Sequence, residues 1–128
     1  MTNFIAAARR VSVLIPAASA TTARSATIDT AGANNAVVCV HVGAEANTNS
    51  TNVKVTLEEG DSTSSFATFN SEYVSATLDN TAAAVGTYSV PLAGRKRYLK
   101  LTMTPDTTTN GAVVSSAHVD FDDVIRTQ

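Results

Sequence analysis

Residues 96–104 read Lys96-Arg97-Tyr98-Leu99-Lys100-Leu101-Thr102-Met103-Thr104, and their period of two decides the fold class. Successive side chains of a strand point to opposite faces, so Leu99, Leu101 and Met103 share one face and Tyr98, Lys100, Thr102 and Thr104 the other. An apolar face backed by a polar one predicts a central strand of a sheet buried on one side. Pro105 lacks a backbone donor and is expected to end it.

The same alternation recurs outward from this strand. Residues 36–43 place Val38, Val40 and Val42 on one face and Val37, Cys39 and His41 on the other, which predicts an inner strand with both faces covered, the second by the N-terminal segment or a neighbouring subunit. Val53, Val55 and Leu57 alternate with Lys54, Thr56 and Glu58 in a further strand, after a polar loop over residues 45–51. Residues 66–69 form a short strand whose two phenylalanines close one end of the core, and residues 73–78 offer another. Residues 80–84 read as loop or a turn of helix. Residues 87–92 and 96–104 are successive strands about Ala93-Gly94-Arg95. Asn110-Gly111 then marks a turn before a last strand over residues 112–121, where Val113, Ala117, Val119 and Phe121 share a face. Near the start, residues 2–10 suit a short helical turn, residues 11–15 a strand closed by Pro16, and residues 22–28 a weak strand leading into turn formers at 29–35. About eight short strands at this spacing predict an all-β, two-sheet sandwich. A jelly roll is preferred, with an immunoglobulin-like sandwich as the alternative.

Composition bounds the rest. With 128 residues a single domain over 1–128 is expected, and an aromatic fraction of 5% within a hydrophobic fraction of 44% implies a thin aliphatic core that favours assembly. A formal charge of -2 argues against nucleic-acid binding. The apolar runs fall far short of the ~20 residues of a membrane helix, so no membrane partner is expected. Cys39 is the one cysteine; it excludes an internal disulfide, fits a reducing cytosol, and reads as a buried, inert thiol. Arg9 and Arg10 ahead of residues 11–16 sketch a signal peptide. However, Phe4, Ile5 and alanines precede the arginines and Pro16 breaks the run, so residues 1–21 are expected to stay as an N-terminal arm or first strand.

No residue pattern marks a catalyst or a cofactor site, and none is expected. His41 and His118 lie far apart in sequence without zinc-ligand spacing, so no metal is expected there. Asp120, Asp122 and Asp123 lack the glycine and distal glutamate of a calcium loop, and read as a solvated terminus. Glu58, Glu59 and Asp61 are candidate paired carboxylates for glycoside hydrolysis, but adjacent strand residues point to opposite faces, and no Gly-x-Ser-x-Gly elbow marks a nucleophile.

Several pieces in order carry a resemblance: Ile28-Asp29-Thr30-Ala31-Gly32, then residues 36–43, then Val55-Thr56-Leu57-Glu58-Glu59-Gly60-Asp61, then Gly94-Arg95-Lys96-Arg97-Tyr98-Leu99-Lys100, then Gly111-Ala112-Val113-Val114. In this series the chain resembles the small jelly-roll decoration or cement proteins on the heads of tailed bacteriophages, over roughly residues 28–119. It departs from them in having no tryptophan after the Glu-x-x-Asp turn, where Phe66 stands nearby, and its N-terminal part is unmatched. The resemblance implies a non-enzymatic virion protein made in the host cytoplasm. It would bind the outer surface of the capsid as a homotrimer, with the major capsid protein as partner. Partner-binding residues expected on this basis are the apolar Phe4, Ile5, Val11, Val13 and Ile15, against another chain, and the basic Arg95, Lys96 and Arg97 with Lys100, against an acidic surface. The bland reading of the basic cluster is a charged strand that keeps a sheet edge from pairing. Alternatives from other classes are a carbohydrate-binding adhesion module, which wants exposed Trp or Tyr, and a tail or head-to-tail structural component.

Overall fold

The computed structural model describes residues 3–19, 23–43, 50–77, 84–107 and 113–127. Among these residues eight strands run in the order β1 (Asn3–Ser19), β2 (Arg24–Asp29), β3 (Asn35–Val42), β4 (Ser50–Gly60), β5 (Ala67–Thr77), β6 (Ala84–Pro91), β7 (Tyr98–Thr107) and β8 (Val113–Thr127). They form two antiparallel four-stranded sheets, ordered β1-β8-β3-β6 and β2-β7-β4-β5. The pairings β1 with β8, β2 with β7, β3 with β6 and β4 with β5 are those of one long hairpin. Rolling that hairpin up sets β3 beside β8 and β4 beside β7. This is the jelly-roll order, reached because closing the sheets on each other buries the apolar face of every inner strand.

Most of the core is the set of alternating positions read from the sequence; Leu14, Ile28, Ala36, Tyr88 and Val90 join it. Val38, Val40, Val55, Leu57, Leu99, Leu101 and Val119 are all buried, with Val42, Val53, Met103, Ala117 and Phe121 beside them. The opposite face of β7, Tyr98 to Thr104 at even positions, is half-buried. Strand β7 lies between β2 and β4, as its pattern requires.

Several expectations are corrected by pairing that the local pattern does not encode. Residues 3–10 are strand rather than helical turn, because β1 pairs with β8 from Asn3↔Thr127 onward. β1 thus lies in the same sheet as β3 and does not cover its second face. That face of β3 is half-buried, not enclosed, and Cys39 sits on it rather than in the core. Pro16 does not close β1. The ladder to β8 shifts register between Ser12 and Leu14 and again between Leu14 and Ala17, so Pro16 falls in an interruption where no donor is called for. Pro105 is likewise inside β7, buried and opposite Val53 of β4. β2 reaches only as far as Met103, so beyond that point β7 has one strand neighbour and tolerates a missing N–H. The proposed strands at 66–69 and 73–78 are one strand, β5. Nor are all strands short: β1 has 17 residues and β8 has 15. Strands β6 and β7 are successive about residues 93–95, as read from the sequence, and they lie in opposite sheets. The readings at 45–49, 80–83 and 110–111 lie outside the described residues.

Gly94 holds a left-handed φ of 78° in the β6–β7 connection, where other residues are strained. At Gly60 the constraint is space, since a Cβ there would run into the carbonyl oxygen of Ser65.

Candidate functional site

The basic cluster expected to dock a partner sits where three connections meet, residues 30–34, 61–66 and 92–97. Backbone bonds tie this end together. Thr30 donates to the Arg97 carbonyl through its N–H at 3.0 Å and its hydroxyl at 2.6 Å, and the Leu92 N–H donates to the Asn34 carbonyl at 3.1 Å. Each cation then meets an acid. Arg97 donates to both Asp29 oxygens, at 3.0 and 2.9 Å, and Lys96 Nζ lies 2.8 Å from Asp61. Arg95 stands 3.5 Å from Glu59, and Lys100 is 3.9 Å from Glu58. Hydrogen bonding to these carboxylates, and then their charge, raises the Lys96 and Arg97 pKa values above the ordinary ones.

This geometry revises both readings of the cluster. Arg95, Lys96 and Arg97 lie in the β6–β7 connection and Lys100 on β7, an inner strand, so they guard no sheet edge. The cations are not a bare positive patch either, since acids from β2, β4 and the β4–β5 connection stand among them. They form a mixed-charge, braced surface, with Arg95 stacked 4.4 Å over the Phe69 ring and Lys100 lying 5.5 Å from that of Phe66. Both phenylalanines are half-buried under cations, and Phe69 packs against the core as expected of it, whereas Phe66 is not among the residues that do. Glu58, Glu59 and Asp61 are spoken for by the same pairs.

The apolar N-terminal residues divide. Phe4 and Ile5 stand opposite Arg126 and Ile125 in the ladder. β3 pairs with β8 only to Asp122, so residues 3–7 and 123–127 continue as a two-stranded ribbon past the end of β3. Val13, at the first register shift, packs against the core, whereas Val11 is 37% and Ile15 71% exposed. β1 and β2 are edge strands of their sheets, and between them opens a cleft of about 280 Å³ lined by Val11, Val13, Ala26, Ile28 and Phe121. The second interruption of β1 is held by Arg24 at the start of β2. Its half-buried guanidinium donates to the carbonyls of Ile15, Ala17 at 3.4 Å and Ser115 at 2.8 Å, so one side chain satisfies backbone acceptors on β1 and β8.

The histidines, set apart by sequence distance, come together. Register places Cys39 opposite His118 and His41 opposite Ser116 on the outer face of the β1-β8-β3-β6 sheet, and the two imidazoles stack with centroids 5.2 Å apart. Asp120 is on the same face, 3.7 Å from His118 Nε2, and accepts two bonds from Arg10 of β1 at 2.7 and 3.0 Å. It is therefore not part of a solvated terminus, and the Arg10 hydrogen bonds hold its pKa below the ordinary carboxylate value. Period two on residues 37–41 and 116–120 placed each set on one face; only their cross-strand register was missing.

No protein-family model matches this chain, and no curated protein is significantly similar to it.

Proposed function

We propose that the chain is a non-enzymatic virion protein of a tailed phage, which binds the outer surface of the assembled capsid as a homotrimer and stabilises it by bridging major capsid protein subunits. What supports the reading is that the motif series resembling such proteins lies along a jelly roll, the architecture preferred from the sequence. Residues 28–32 end β2 and turn, 36–42 are β3, 55–60 lie in β4, and 98–100 begin β7. The mechanism is linkage: a protein that binds the assembled shell and not its free subunits shifts the equilibrium toward the shell, and repeated contacts add avidity. The braced end at residues 30–34, 61–66 and 92–97 suits docking, because its loops are already ordered before a partner arrives. The open side at β1 and β2, with Val11 and Ile15 exposed beside an apolar cleft, suits contact between copies.

The carbohydrate reading has less support. Tyr88 is buried and Tyr98 is half-buried beneath Arg97, so neither of these two offers a fully exposed sugar platform.

Co-sedimentation with preformed capsids tests the proposal. The protein is expected to pellet with intact shells and to raise their dissociation temperature; a protein that stays in the supernatant at all ratios overturns it. Deleting residues 2–15 is not a clean test of docking, because β1 is an integral strand and its removal uncovers β8 and takes Leu14 from the core.

A further inference from the structure

The cluster on the outer sheet face has the donors and spacing of a metal site. Strands β3 and β8 are inner strands, and alternation puts Val37, Cys39 and His41 on the face shared with Ser116, His118 and Asp120. One ligand atom each from Cys39, His118 and Asp120 lies within 4.8 Å of the other two, and all three residues are half-buried. A tetrahedral ion with bonds of about 2.0 to 2.3 Å sets its ligands roughly 3.3 to 3.8 Å apart, so closing the set needs about 1 Å of side-chain rotation. The strands themselves need not move.

Two other chemistries compete for these residues. A Cys-His-Asp set invites comparison with a thiol nucleophile and its base, yet Cys39 is paired on both sides, with Thr87 and His118, and its strand lies inside the sheet. Its backbone is committed to ladders, which leaves no pair of free N–H groups to hold an oxyanion. The second competitor is the Arg10 ion pair with Asp120. The Arg10 side chain is 68% exposed and can swing into solvent, and a carboxylate has acceptor positions for both a cation and a guanidinium.

We propose that Cys39, His118 and Asp120 bind one divalent transition ion of the zinc class on the outer face of the β1-β8-β3-β6 sheet. Thiolate, imidazole and carboxylate together suit Zn²⁺ and exclude the all-oxygen preferences of Ca²⁺ and Mg²⁺. His41, stacked on His118, fixes the plane of the liganding ring. Three protein ligands leave a fourth position facing solvent. The site is independent of the capsid proposal.

Cobalt is the probe that reads the ligands directly. Titrating Co²⁺ into the reduced full-length protein is expected to give a thiolate-to-cobalt charge-transfer band and the intense visible bands of four-coordinate cobalt. Both should saturate at one ion per chain and be erased by Zn²⁺. Cys39→Ser is expected to abolish the charge-transfer band, and His118→Ala and Asp120→Asn each to weaken Zn²⁺ binding by about tenfold or more. A spectrum without the thiolate band overturns the proposal, as does unchanged Zn²⁺ affinity in Cys39→Ser. Unchanged affinity in both His118→Ala and Asp120→Asn overturns it too, since a lone thiolate would then suffice. Circular dichroism of each metal-free variant separates lost ligation from lost folding, and the wild-type cobalt spectrum decides even if a variant does not fold.

Discussion

Arg24 and Leu101 show two ways in which a single side chain holds this fold. Leu101 is wholly buried at the centre of β7, and truncation to alanine removes apolar surface and leaves a cavity. Leu101→Ala is expected to lower stability by about 2 to 5 kcal/mol in urea denaturation. A loss under about 1 kcal/mol would be that of a surface position and would contradict the packing. Arg24 acts through polar groups instead. Replacing it with methionine keeps much of the stem but leaves the carbonyls of Ile15, Ala17 and Ser115 without their donor. Bonds to a charged group contribute about 1.5 to 3 kcal/mol, so Arg24→Met is expected to lower stability within that range, read by the same titration.

At the scale of elements, β1 is attached to the sheet by one ladder, and the Arg10–Asp120 pair crosses that ladder on its outer face. The groups facing Asp120 are Arg10 from β1, His118 on β8 and the Cys39 thiol on β3, while Val37 opposite it on β3 carries no charge. Because the folded protein lowers the Asp120 pKa, its carboxylate stabilises the fold above the ordinary value of 3.8, and that contribution is lost as pH falls through the lower folded value. The melting temperature of the wild type is therefore expected to exceed that of Asp120→Asn at neutral pH, with the gap closing once the pH drops below 3.8. A gap that persists unchanged in acid would mean that the pair does not hold β1. The two interruptions of β1, at Val13 and at Ile15 with Pro16, have the same element-level meaning: they bend an edge strand so that it presents a broken ladder to other chains.

For the whole molecule, the open side between β1 and β2 is where assembly is expected. Ile15→Asp places a charge on a side chain that the isolated chain leaves 71% exposed, so the monomer fold should survive while contact between copies weakens. Light scattering is expected to find a trimer for the wild type and a shift toward monomer for Ile15→Asp; a wild-type monomer would remove the assembly claim. The sandwich and most of its core were legible in sequence. Residues 36–43, 53–57 and 96–104 alternate strictly, and alternation is a local consequence of strand geometry that holds whichever strand lies alongside. Neighbours were not legible. That residues 3–10 extend as strand, that Pro16 and Pro105 lie within strands, that the basic cluster is matched by acids, and that Cys39 meets His118 all depend on which strands pair and in what register. Register is decided by contacts between distant parts of the chain, each made through backbone groups common to every residue, so the side-chain pattern of one strand carries its faces but not its partners.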